Sequence, residues 1–63
     1  MNYIEKMILA YLVNNRAYNV SLSEILAHCA DNGVSRNQAF NEIRYMREDG
    51  KIVARDGFYQ VKE

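Results

Sequence analysis

The sequence predicts a mostly helical α+β fold, and three observations carry that prediction. Three N-capping signatures each stand ahead of an amphipathic stretch. A glycine follows the second and third stretches where a helix would stop. Near the C-terminus, an Asp-Gly pair separates two β-prone runs. Together they predict three helices closed by a two-stranded antiparallel β-hairpin, in a single domain over residues 1–63.

The first helix is expected to start with Asn2 as N-cap, with Glu5 three positions on and able to reach back in a capping box. Ile4, Ile8, Tyr11 and Leu12 then fall within about 100° of one another on a helical wheel, which is wide enough to face a core. Leu9 and Val13 flank that stripe on one side and Tyr3 and Met7 on the other, while Lys6, Ala10 and Asn14 mark the wet side. "NNRAYNV" breaks the periodicity and reads as a loop. At "VSLSEIL" the pattern restarts: Ser21 and Glu24 form a second capping box, and Val20 and Ile25 occupy the two positions of a hydrophobic staple. Leu22, Ile25, Leu26 and Cys29 make the inner face, and Asn32-Gly33 supplies residues that tolerate the positive φ of a helix end.

The third helix, over residues 36–48, has Ser35 as N-cap and Gln38 three residues later, a third box. Ala39, Phe40, Ile43, Met46 and the stem of Arg47 are expected on its inner face. Asn37, Gln38, Asn41, Arg44, Tyr45 and Glu48 are expected outside, and Gly50 ends the helix. In "KIVARDGFYQVK" a two-residue Asp-Gly loop pairs Arg55 with Phe58, Ala54 with Tyr59, Val53 with Gln60 and Ile52 with Val61. Side chains alternate along a strand, so Ile52, Ala54, Tyr59 and Val61 should face the core, and Val53, Arg55, Phe58 and Gln60 should face out.

Composition narrows the function classes. A chain of 63 residues buries only about 60% of its unfolded surface, so it needs good packing or a partner subunit. Cys29 is the only cysteine, which excludes a disulfide within the chain. With only His28 beside it, no four-ligand structural zinc site can be assembled, and neighbouring helical residues point about 100° apart. No metal or cofactor is expected. No nucleophile–base pair, carboxylate pair or glycine-rich phosphate loop occurs, so an enzyme is not expected. No apolar run approaches the roughly 18 residues of a membrane span. Glu5 and Lys6 interrupt the apolar N-terminal stretch and no basic segment precedes it, so a signal peptide is not expected and the location expected is cytoplasmic. The formal net charge is zero, but it is unevenly spread. Between Ser35 and Arg55 five cations (Arg36, Arg44, Arg47, Lys51, Arg55) face three anions (Glu42, Glu48, Asp49), an excess of two. Residues 1–34 carry Lys6 and Arg16 against Glu5, Glu24 and Asp31, an excess of one negative.

Two helices joined by a short glycine-containing turn have helix-turn-helix geometry. The stretches "VSRNQAFNEI", "MREDGKIV" and "DGFYQV" resemble the winged helix-turn-helix domains of bacterial and phage transcription regulators, MarR-like proteins among them. Val34, Ser35 and Arg36 match the opening of the recognition helix, and Met46 takes the place of a usual Leu. Gly50 and Ile52 match the helix-to-strand junction, and Tyr59 and Val61 the returning strand of the wing. The resemblance covers roughly Leu22 to Val61, and it departs from the DNA-binding pattern in one respect: the wing is minimal, with Arg55, Asp56 and Gly57 at its tip. It implies a transcriptional regulator that binds double-stranded DNA, with the third helix in the major groove. Arg pairs with guanine and Asn or Gln with adenine, so Asn37, Gln38, Asn41 and Arg44 form the expected reading set. Ser35 and Arg36 are expected at a phosphate, Tyr45 at the sugar-phosphate backbone, and Lys51 and Arg55 as electrostatic anchors. A homodimer through the first helix (Tyr3, Met7, Ala10) or through the outer hairpin face (Val53, Phe58) would let such a module engage two half-sites. The competing expectation is a module that binds another protein and leaves nucleic acid alone. Zero net charge, the acidic "RED" run and the apolar Val53/Phe58 patch support it.

Overall fold

The structure, a computed structural model, describes residues 2–63. Its elements run α1 (Tyr3–Asn14), β1 (Val20–Ser21), α2 (Leu22–Asp31), α3 (Arg36–Glu48), β2 (Ile52–Arg55) and β3 (Phe58–Val61). Local side-chain chemistry sets most of these boundaries. The first four N–H groups and last four C=O groups of a helix lack internal partners, and polar side chains or a left-handed residue must supply them. At the start of α2, Ser21 Oγ accepts from the Glu24 N–H while Glu24 Oε1 accepts from the Ser21 N–H at 2.9 Å. Ser35 and Gln38 repeat that exchange at the start of α3. The ends of α2 and α3 close by one device. Gly33 and Gly50 adopt φ of 79° and 75°. The residue after each glycine then donates back into the helix, Val34 to Cys29 O and Lys51 to Met46 O. A side chain other than glycine is strained at such φ values. Helix α1 ends differently: the Asn15 side chain donates to Tyr11 O at 2.8 Å, and Arg16 Nε donates to Val13 O.

Only half of the capping box expected at α1 forms. Asn2 Oδ1 accepts from the Glu5 N–H at 2.8 Å, but the Glu5 carboxylate does not return to the cap. It turns inward and accepts from Lys51 Nζ at 2.7 Å. The wheel explains the difference. Glu5, Ile8 and Leu12 lie within about 60° of each other and form the buried face of α1. Ile4, Met7, Leu9 and Tyr11 are only partly buried around them. The buried stripe is thus rotated from the expected one, far enough that Glu5 falls at its edge.

The hairpin has the expected register, Ile52 opposite Val61 through Arg55 opposite Phe58. Asp56 and Gly57 both have positive φ, 53° and 84°, the backbone that a two-residue hairpin turn needs to match strand twist. The expectation of only two strands was incomplete. Val20 and Ser21, at the end of the expected loop, pair antiparallel with Tyr59 and Phe58, giving a three-stranded sheet of order β1-β3-β2. A two-residue strand has too few positions to show period-two alternation, so its existence depends on β3 arriving beside it. Val20 is buried and still serves the α2 staple with Ile25.

One core holds the elements together. Ile8, Leu12, Ile25, Met46, Ile52 and Cys29 are its largest fully enclosed side chains. Helix α1 packs on α2, α3 and β3, and α3 packs on α1, α2 and β2. The inner hairpin face contributes Ile52 and Tyr59, with Ala54 and Val61 half-buried, as the alternation predicts. Burial also pushes the Cys29 thiol pKa up, because removing the sulfur from water disfavours the thiolate. Helix α3 is therefore anchored along one side by Ala39, Ile43 and Met46, and its opposite side is free to act.

Candidate nucleic-acid interface

The candidate surface is built on α3, capped at both ends and held from behind, so its side chains project from a rigid base. Its buried seam of Ala39, Ile43 and Met46 leaves Asn37, Asn41, Arg44 and Glu48 on the opposite azimuth, all of them exposed. None of the polar groups of Asn37, Asn41 or Arg44 makes a side-chain hydrogen bond within the protein among the described residues. Arg44 lies beside the Tyr45 ring, its guanidinium carbon 5.3 Å from the centroid. A planar guanidinium and two amides on one helical face are the groups that make paired contacts with guanine and adenine edges.

Two of the expected site residues are committed to the helix start. Ser35 Oγ accepts from the Gln38 N–H, and Gln38 Oε1 accepts from the Ser35 N–H, each at 3.2 Å. A paired adenine contact by Gln38 would take its carbonyl oxygen away from that cap, so its amide N–H₂ is the group it can offer. Arg36, in the same first turn, is exposed, as is Arg55 at the hairpin tip beside Asp56.

Lys51 stands apart from this set. Its ammonium pairs with Glu5, whose side chain is 8% exposed. The hydrogen bond to Glu5 holds the Lys51 pKa above its ordinary value, partial desolvation opposes that, and the charges of Asp49 and Glu42 add to the rise. Glu42 in turn accepts a hydrogen bond from the Asn2 side chain. The second Glu5 oxygen, Oε2, is buried without a protein partner, which leaves Lys51 as that carboxylate's only side-chain support among the described residues. On the α1 side of α3 the charge of Lys51 is therefore used within the fold.

The other side of α3 contains the main departure from expectation. Phe40, assigned to the inner face, is 50% exposed. On the wheel it lies roughly 90° from the centre of the Ala39, Ile43 and Met46 seam, at the margin of what a helix can bury. Phe40 rims a shallow depression lined also by Leu22, Ile43, Arg44, Arg47 and Tyr59. Arg47 lays its stem along the core edge as expected, with its guanidinium carbon 5.9 Å from the Tyr59 ring centroid and its head exposed. The sequence reading left Phe40 and Arg47 out of the candidate set. The wheel angle of Phe40 was the available signal; for Arg47 the position of Tyr59 beneath it was needed.

The remaining features are structural. Tyr11, expected in the core, is half-buried and stacks on His28 with centroids 4.2 Å apart, which occupies both rings. Among the described residues no group of three His, Cys, Asp or Glu side chains is placed to hold a metal ion. Among the described residues no helix is long and apolar enough to cross a membrane. Tyr3, Tyr18 and Tyr45 are exposed, and on the outer face of the sheet Phe58 and Val53 sit among the polar side chains of Asn19, Arg55, Asp56 and Gln60. Comparison of the chain with protein-family models, with curated proteins and with solved structures returns no match.

Proposed function

We propose that this chain is a small sequence-specific protein for double-stranded DNA, a winged helix-turn-helix transcriptional regulator of the bacterial or phage type, acting in the cytoplasm. One observation carries the reading: Asn37, Asn41 and Arg44 stand exposed and unbonded on one face of a helix whose opposite face is fully anchored. A major groove about 12 Å wide admits one such helix. In this arrangement Arg44 reads guanine, and Asn37 and Asn41 read adenine. Arg36, Ser35 and the free N–H groups of the first turn meet a phosphate, where the helix dipole favours an anion. Tyr45, Arg47 and Arg55 contact the flanking backbone. Lys51 is left out of the phosphate set because Glu5 already holds it.

A single module of this size covers little DNA, and pairing on two half-sites raises affinity. A homodimer through Tyr3, Met7 and Ala10, or through Val53 and Phe58, belongs to the same proposal. Sedimentation that finds only monomer at high micromolar concentration removes it. The test of the main reading is a salt titration on duplex DNA selected from a random pool. Log K should fall against log[salt] by about 0.9 for each phosphate neutralised. A second reading, a protein-binding module, is favoured by the outer patch of Val53 and Phe58. The absence of duplex binding at low salt would favour it over the DNA-binding reading.

A further inference from the structure

We infer that Phe40 is a specificity-determining residue that recognises the 5-methyl group of thymine, so that the DNA site carries a thymine beneath the middle of α3. The inference rests on the DNA-binding reading above and names a feature of its target. Phe40 lies within one helical turn of Asn37 and of Arg44 and is 50% exposed, so it projects at the level of the reading side chains. The core does not require it: Ala39, Ile43 and Met46 complete the buried seam without it. An aromatic ring half in water on an otherwise polar helix surface gains by covering apolar area. Thymine alone among the four bases presents a methyl group in the major groove, and phenylalanine is among the side chains that meet it.

Charge around the ring favours a nucleic acid as the occupant. The depression that Phe40 rims is lined by two arginines, Arg44 and Arg47, and by no carboxylate. Arg36 stands one turn earlier on the same side. Phosphates on either side of the thymine would meet Arg36 and Arg47 as the ring meets the methyl group, while Arg44 reaches the neighbouring guanine. An acidic peptide with one large apolar side chain matches part of this chemistry, and the experiment separates the two.

The experiment uses the full chain and a selected duplex in which each thymine is replaced singly by deoxyuridine, which removes the methyl group and keeps the pairing. One methyl-sized group buried against an apolar ring corresponds to about fourfold in affinity. Wild-type protein should lose about fourfold at one thymine per half-site. Phe40→Ala should bind more weakly to the parent duplex, and the thymine and deoxyuridine forms should then be indistinguishable. Phe40→Leu should restore part of the discrimination. The cycle of protein and DNA changes cancels any intrinsic effect of deoxyuridine on the duplex. Equal thermal midpoints for the three proteins show that folding is intact. Wild-type binding that is indifferent to every deoxyuridine overturns the inference and leaves DNA binding standing, as does a loss that persists unchanged in Phe40→Ala. Failure to bind any duplex at low salt removes both, and capture of an acidic peptide that depends on Phe40 then assigns the depression to a protein partner.

Discussion

The two sides of α3 have opposite electrostatic fates, although they share one rigid helix. Toward α1, the charged groups have partners within the chain: Lys51 pairs with the Glu5 carboxylate, and the Glu42 carboxylate accepts from the Asn2 amide. Toward the hairpin, Arg44 and Arg47 stand without a carboxylate partner beside the half-exposed ring of Phe40. A net charge of zero therefore conceals two surfaces, one where the cation is paired within the fold and one where two arginines line an apolar depression without a carboxylate. Net charge governs long-range attraction to a polyanion, but the local surface governs what docks. The charge total and the local charge around Phe40 therefore point to different partners, and only the second concerns the docking surface.

The comparison can be broken at its support. Met46 is fully buried in the seam that carries both sides of the helix, so Met46→Ala should cost about 2–5 kcal/mol, enough to unfold much of a marginal 63-residue chain. Urea unfolding measures it. A loss under about 1 kcal/mol would mean that the seam repacks and does not brace the helix. Next in size is Arg44→Ala. It should weaken binding to a selected duplex by roughly 1–3 kcal/mol and relax preference at one position, while stability changes by less than about 0.5 kcal/mol. Equal weakening on all sequences would demote Arg44 to a phosphate contact.

A paired exchange sharpens the contrast. Arg47→Ala should lower the salt slope of DNA binding by about one contact and leave the urea midpoint nearly unchanged. Lys51→Ala should do the reverse, lowering the midpoint because it strands the Glu5 carboxylate. If Lys51→Ala changes the salt slope and spares stability, the Lys51 charge is available to DNA and the Glu5 carboxylate does not depend on it.

The smallest effects lie in pH. The folded-state Lys51 pKa is raised above its ordinary 10.5, so the pair contributes its full stability below that value and loses it as pH rises through the raised one. Glu24 has the opposite sign. Hydrogen bonds from the Ser21 backbone and then its side chain lower its pKa below the ordinary 4.5. The α2 cap thus contributes fully above 4.5 and weakens as pH falls through the lowered value. Thermal melts across pH should show the alkaline loss in wild type and not in Glu5→Gln, and the acid loss reduced in Glu24→Gln. Identical profiles in all three proteins would remove both assignments.

How much of this could be read beforehand divides by the distance between partners along the chain. The Ser21–Glu24 and Ser35–Gln38 boxes, the glycine stops at Gly33 and Gly50, and the Asp56-Gly57 turn all join residues a few positions apart. Their geometry belongs to the segment itself, so helix limits, hairpin register and the polar outer row of α3 were already written in the order of residues. Three features were decided only when distant segments met. Val20 and Ser21 became a strand because β3 lay beside them. Glu5 left its cap for Lys51, 46 positions away, because a carboxylate on a buried azimuth is better served by a nearby ammonium than by a half-exposed backbone N–H. Arg47 acquired its place over an aromatic ring because the hairpin brought Tyr59 beneath it. Short-range hydrogen bonds are specified by neighbours in sequence, whereas space and charge in a core are shared among all segments, and only their simultaneous packing allots them.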